Sequence, residues 1–300
     1  MMHRVLKYLP IMMLLAIAAG TGVALAQDPI EIAYAGSMGA LMDRGIAPAI
    51  AKSFNAELHG RAQGSRGLAN LIVAGSIRPD VFIAVTPGPM RAVLKAGKAD
   101  RAIAIARTEM VIAYSPKSRF AAQFSGGKAW WRILESPEIR FGRTDPNVDP
   151  QGLGTIFTVK LAETYYHQPE LMAKILGPQI NPRQIFQEAE VMARLQTGQL
   201  DASAAYKTQP GAMNLPFVTL PNQINLGDAA MEQQYRQGMV MLNGKPKHPS
   251  PLVFYAAAMN GAAHPLLARK FIAWLTGAGA RAILTQFHYD PPGDAPPLAP

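Results

Sequence analysis

The chain has 300 residues, 49% of them hydrophobic, a formal net charge of +9 and no cysteine. Without cysteine, a disulfide framework, a thiolate metal site and a cysteine nucleophile are all excluded. The positive balance favours acidic partners, and with no basic run interleaved with aromatics the candidates are small anions and not nucleic acid.

His3, Arg4 and Lys7 precede an apolar run from Leu9 to Gly20, and Ala24-Leu25-Ala26 supplies small residues before Gln27. This pattern reads as a secretory signal peptide over 1–26, with an apolar run short for a membrane span. The remaining length suits one large domain or two lobes.

Ile30 to Ala35 is a short apolar strand that ends in Gly36-Ser37. A periodic segment follows, with Met38, Leu41, Met42, Ile46 and Ile50 on one helical face. Ser37 is placed as an N-cap at a helix mouth, where free N–H groups and the positive dipole end coincide and anions bind. The plainer reading is a helix cap and nothing more. Gln63-Gly64-Ser65-Arg66-Gly67 repeats the arrangement before a second helix, with Gly64 allowing close backbone approach.

Pro79 to Val85 reads as a buried strand, and Thr86-Pro87 as the start of another helix. Strands alternating with helices imply an α/β fold with mainly parallel sheets, whose ligands gather at the strands' carboxyl ends. Met110 to Tyr114 and Ile139 to Gly142 are further strands. The loop Arg143 to Gly152 is dense in turn residues and leads into a helix at Asp149-Pro150, where capping is a sufficient account of Asp149. A third helix mouth is expected near Glu190-Val191-Met192, and Leu200 to Tyr206 forms a strand carrying Tyr206 at its end. Gly238–Leu242 and Leu252–Ala258 read as strands flanking a loop with Asn243-Gly244. Two helices, 265–276 and 278–287, and a proline-rich, disordered tail complete the chain.

Taken in order, Ala35-Gly36-Ser37, Gly64-Ser65, Pro79-Asp80-Val81, Glu109 to Tyr114, Asp145 to Gly152, Gly198 to Asp201 and Leu220 to Leu226 resemble the molybdate- and tungstate-binding proteins of ABC importers. The match is closer to the tungstate/molybdate branch common in archaea. The resemblance implies a type II periplasmic-binding-protein fold: two α/β lobes, with a tetrahedral oxyanion held in the cleft between them. It implies lobe I at 27–108 and 262–290, lobe II at 109–261, a tail at 291–300 and hinge motion near Met110 and Ala258. Ser37 and Ser65, with Gly36 and Gly64 beside them, would bind from the first lobe. Asp149, the backbone at Val191, and Tyr206 would bind from the second. In the archaeal branch a glutamate just before the tyrosine is expected to reach the metal centre, and here that position is Ala205.

A carboxylate beside a dianion repels it unless it ligates the metal or shares a proton, by about 4 kcal/mol for unit charges at 4 Å and a dielectric constant of about 20. The reading is therefore that Asp149 caps its helix and stands clear of a tetrahedral site; its alternative role is as a ligand to the oxyanion metal. Arg66 and Arg143, next to the site loops, read as solvated rim residues. The chain is expected to be a monomeric periplasmic receptor with no cofactor and no catalytic residue, delivering molybdate or tungstate to an importer's permease and ATPase. The alternatives are a receptor for sulfate, phosphate or a small carboxylate, and a hydrolase using a serine at a helix mouth. The hydrolase lacks a Gly-x-Ser-x-Gly elbow, since Gly64-Ser65-Arg66-Gly67 misses that spacing.

Overall fold

A computed structural model describes residues 28–300; the expected signal peptide lies outside them. Its strands are β1 (Asp28–Ala35), β2 (Ala56–Gln63), β3 (Val81–Val85), β4 (Ile103–Arg107), β5 (Met110–Tyr114) and β6 (Phe141–Gly142). They continue with β7 (Ala202–Tyr206), β8 (Phe217–Thr219), β9 (Val240–Leu242), β10 (Lys245–Lys247) and β11 (Val253–Ala258).

Two sheets build two lobes. The first has the order β2-β1-β3-β11-β4 and the second β6-β7-β5-β8. In the first, β1 runs parallel to both β2 and β3, so the turns leaving β1 and β2 emerge side by side, with Ala35 opposite Gln63. Each sheet is mixed: β11 is antiparallel to β3 and β4, and β5 is antiparallel to β7 and β8. The expected predominance of parallel pairs gives way because strands that follow a crossover between lobes enter their sheet from the opposite end.

The placement of β11 corrects the lobe boundary. Val253–Ala258, expected in the second lobe, is fully paired inside the first sheet, and its Phe254 and Ala256 are completely buried. The chain therefore passes to lobe II at Thr108-Glu109 and returns at Leu252-Val253. The Thr108 N–H donates to Leu252 O at 3.0 Å and holds the two passages together. Helices Pro265–Leu275 and Ala278–Gln286 then pack onto lobe I. The tail is ordered against the same lobe. Leu298 and Ala102 exchange both backbone hydrogen bonds at 2.9 Å, and Asp290 pairs in the same way with Arg107. The Asn243-Gly244 turn joins β9 to β10 as a hairpin, with φ of 52° and 70° at its two central residues.

A candidate oxyanion site between the lobes

Ser37 does not cap a helix. Gly36–Met38 is a 3₁₀ turn with Ala35 at its N-cap, whose methyl group makes no capping hydrogen bond, and it leads into the helical run that ends at Phe54. The Ser37 hydroxyl is buried and has no hydrogen-bond partner among the described residues. Ser65 opens the helix Ser65–Val73 behind Gly64, and its hydroxyl oxygen accepts the Val85 N–H at 3.1 Å. That bond leaves the Ser65 hydroxyl proton free to donate elsewhere.

Asp149 is the N-cap of the helix Pro150–Tyr165, as its sequence implies, with Oδ1 accepting the Gln151 N–H at 2.9 Å. It nevertheless lies in the cleft, directly against the Gly64 turn. The neighbouring Gly67 N–H donates to Val148 O at 3.2 Å, a hydrogen bond between the lobes. Tyr206, at the end of β7, is 0% exposed, and its hydroxyl has no partner among the described residues. A buried phenol without a partner is uncommon, because desolvation of the hydroxyl goes uncompensated.

Val191 is not at a helix mouth. The helix runs from Glu188 to Thr197, two residues earlier than the sequence suggests, so the Val191 N–H is spent on Gln187 O at 3.0 Å. Its side chain belongs to a buried apolar cluster with Val111, Leu195 and Ala205.

The residue that takes the place at this mouth is Glu188, which the sequence reading missed. Its stem is half-buried and lines an opening of about 250 Å³ shared with Ser37, while its carboxylate is turned inward. That carboxylate faces the Ser37 N–H and packs against Gly36. Gln209, also missed, orients it: Nε2 donates to Glu188 Oε1 at 2.9 Å, and Oε1 accepts the Tyr206 N–H at 3.1 Å.

Glu188 also answers the question raised by Ala205. Successive residues of a strand point to opposite faces. Ala205 faces the apolar cluster around Val191, and Tyr206 faces the other way, into the main core at the cleft. A side chain at 205 is thus aimed away from the site. The second acidic group comes from the helix start instead.

Two carboxyl groups therefore converge on one enclosed place, and its electrostatics follow. Burial raises Asp149 to about 6, against the pull of the Gln151 hydrogen bond. Burial first, and then the charge of Asp149, push Glu188 well above the ordinary carboxylate range. Burial and the same two acids push the Tyr206 phenol upward. Arg66 is part-buried near Asp149, and its guanidinium is depressed by that burial. Arg143 is no rim residue. It is fully buried and donates to Gln184 Oε1 and to the Pro178 and Gln179 carbonyls, pinning the 178–184 loop.

The sequence model of the bacterial extracellular solute-binding proteins matches residues 30–290. The chain belongs to this family. Over 210 residues this solute-binding protein is 28% identical to the molybdate/tungstate-binding protein WtpA of Pyrococcus abyssi, covering 63% of this chain and 61% of that one. The WtpA of Thermococcus kodakarensis is also 28% identical over 210 residues, 63% of this chain and 59% of that protein. The match thus spans about three-fifths of the length of these curated relatives. The periplasmic molybdate-binding protein of Azotobacter vinelandii superposes with a TM-score of 0.59 at 15% identity, over 87% of this chain and 98% of that one. A likeness at that identity shows the fold, the type II periplasmic-binding-protein architecture. Members of the family act outside the cytoplasm as binding proteins.

Proposed function

We propose that this protein captures molybdate or tungstate between its lobes and delivers it to the permease and ATPase of an ABC importer, as a monomer exported by a signal peptide in residues 1–26. The observation that carries the reading is the convergence of two Gly-Ser turns, two buried carboxyl groups and an unpartnered phenol on one enclosed place.

The donor set narrows the chemistry. The unpartnered Ser37 hydroxyl and the Ser65 hydroxyl, whose proton is free to donate, suit oxyanion oxygens. Two carboxylates beside a simple dianion would repel it by several kcal/mol. The same carboxylates are good ligands to a hard, high-valent metal centre that can expand its coordination. Molybdate and tungstate have such a centre and sulfate does not. Asp149 and Glu188 are therefore assigned to the metal of the oxyanion, in place of a tetrahedral site with Asp149 standing clear. Ser37, Ser65 and Tyr206 hold its oxygens, and Gln209 positions Glu188.

The test is calorimetric titration of the mature protein with tungstate, molybdate, sulfate, phosphate and chromate. Submicromolar binding of tungstate and molybdate with sulfate far weaker is the expected result. Binding of sulfate or phosphate alone would overturn the ligand and keep the architecture. X-ray absorption at the tungsten edge should show more than four oxygen neighbours, and Glu188→Ala should lower that number.

A further inference from the structure

Glycine is usually placed where φ is positive. Neither glycine of the Gly-Ser turns uses that freedom: Gly64 has φ −52° and ψ 127°, and Gly36 starts a 3₁₀ turn outside the positive-φ region. What both positions use is the missing Cβ. A Cβ on Gly64 would stand 2.9 Å from Val148 O and 3.2 Å from both Cα and Cβ of Asp149, all in the opposite lobe. A Cβ on Gly36 would run into the Glu188 carboxylate, whereas the carbonyl carbon of Gln63, in its own lobe, would be 3.7 Å away. Gly142 and Gly152 are different, because a Cβ there strikes Leu200 or Thr144 of the same lobe.

We propose that Gly64 sets how far the lobes close and Gly36 sets where the Glu188 carboxylate lies, each receiving one acidic residue of lobe II against a bare backbone turn. The proposal rests on the oxyanion reading of the site and gives these two residues a positioning role in it. Closure must bring the donors at Ser37 and Ser65 within about 3.2 Å of oxygens whose centre is held by Asp149 and Glu188. A methyl group wedged into the Gly64 contact lengthens those hydrogen bonds past the range in which they hold, and one at Gly36 moves the Glu188 carboxylate off the centre.

The two stops differ in kind. At Gly64 the opposing wall is mainly backbone, and it is pinned within its own lobe: the Asp149 N–H donates to Asp145 O at 2.9 Å, and the Val148 N–H to the same oxygen at 3.3 Å. Such a wall cannot yield, so Gly64→Ala keeps the lobes apart. At Gly36 the wall is the end of a side chain that can rotate away by giving up Gln209. Gly36→Ala therefore lets the lobes close and displaces Glu188.

The experiment combines tungstate titration, small-angle scattering with and without tungstate, and melting of the ligand-free protein. Gly64→Ala should melt within about 2 °C of the wild type, lose the tungstate-induced compaction and bind at least about 100-fold more weakly. Gly36→Ala should compact normally and bind about 10-fold more weakly, and in a Glu188→Ala background it should cost nothing further. A Gly64→Ala variant that compacts and binds within 3-fold of the wild type overturns the proposal. So does a ligand-free Gly64→Ala protein that melts far below the wild type, which would place the need for glycine inside its own lobe. A wild-type protein that does not bind tungstate overturns the ligand reading first and this proposal with it.

Discussion

Asp149→Asn separates what the site needs for binding from what the fold needs for stability. Asparagine is as good an N-cap as aspartate, so the bond to the Gln151 N–H survives and only the charge is removed. In the folded chain Asp149 titrates near 6 and not near 3.8, chiefly because it is buried. A folded pKa above the unfolded one means that folding holds the proton more tightly than the open chain does. The carboxyl therefore carries no penalty below about pH 4 and a growing one as pH climbs through 6. A shift of about 2 units amounts to about 3 kcal/mol above that range. Ligand-free Asp149→Asn should thus match the wild type near pH 4 and exceed it at pH 8 by up to about 3 kcal/mol, the full amount belonging to the closed arrangement in which Asp149 is buried. For a chain of this size that is a rise of about 6–10 °C in melting temperature. Thermal melts at the two pH values, followed by tungstate titration at pH 8, provide the measurement. Affinity should fall at least about 100-fold while stability rises. A melting difference independent of pH, or a variant that binds tungstate normally, would refute the placement of a buried metal-facing carboxyl at 149.

The two serines should behave differently. Ser37→Ala removes a hydroxyl with no partner among the described residues, so ligand-free stability should stay within about 0.5 kcal/mol while tungstate affinity falls about 10-fold. Ser65→Ala also loses the bond from the Val85 N–H and should cost about 1 kcal/mol of stability as well. Tyr206→Phe should leave the ligand-free melting temperature unchanged or raised and weaken tungstate about 10-fold by titration. Ala205→Glu should place a carboxylate in the apolar cluster around Val191, lower stability by at least about 3 kcal/mol in denaturant melts, and bring no gain in tungstate affinity.

Much of this site is legible in the primary structure because its parts are local. A strand, a Gly-Ser turn and a periodic helix announce themselves in a few residues, and Asp149-Pro150 marks its helix start unambiguously. Glu188 is harder. It and Glu190 both sit in the first turn of one helix, where acidic residues are ordinary complements to the dipole. Glu190 pairs with Arg194 at the surface, and only the packing of the lobes turns Glu188 inward. A shift of two residues in the helix start is all that separates Glu188 at the mouth from Val191 inside the helix. The position of β11 is likewise invisible locally. Its apolar residues declare a buried strand, but its neighbours β3 and β4 lie more than 140 residues earlier in the chain. Arg143 shows the same limit from another side, since a charged residue in a polar loop gives no local sign that a distant loop will close over it.

The insertion of β11 between β3 and β4 has a consequence for how the molecule comes into being. Residues 109–252 form an uninterrupted stretch whose sheet needs no strand from outside it, so lobe II can assemble as soon as that stretch is available. Lobe I begins with the earliest strand and has a gap between β3 and β4 until Val253–Ala258 arrives. Its β4 edge gains Asp290 and Leu298 later still. Pairings of such long sequence separation are slow to form. The half of the protein that is synthesised first is therefore finished last, and the turns bearing Ser37 and Ser65 meet their partners only when nearly the whole chain is in place.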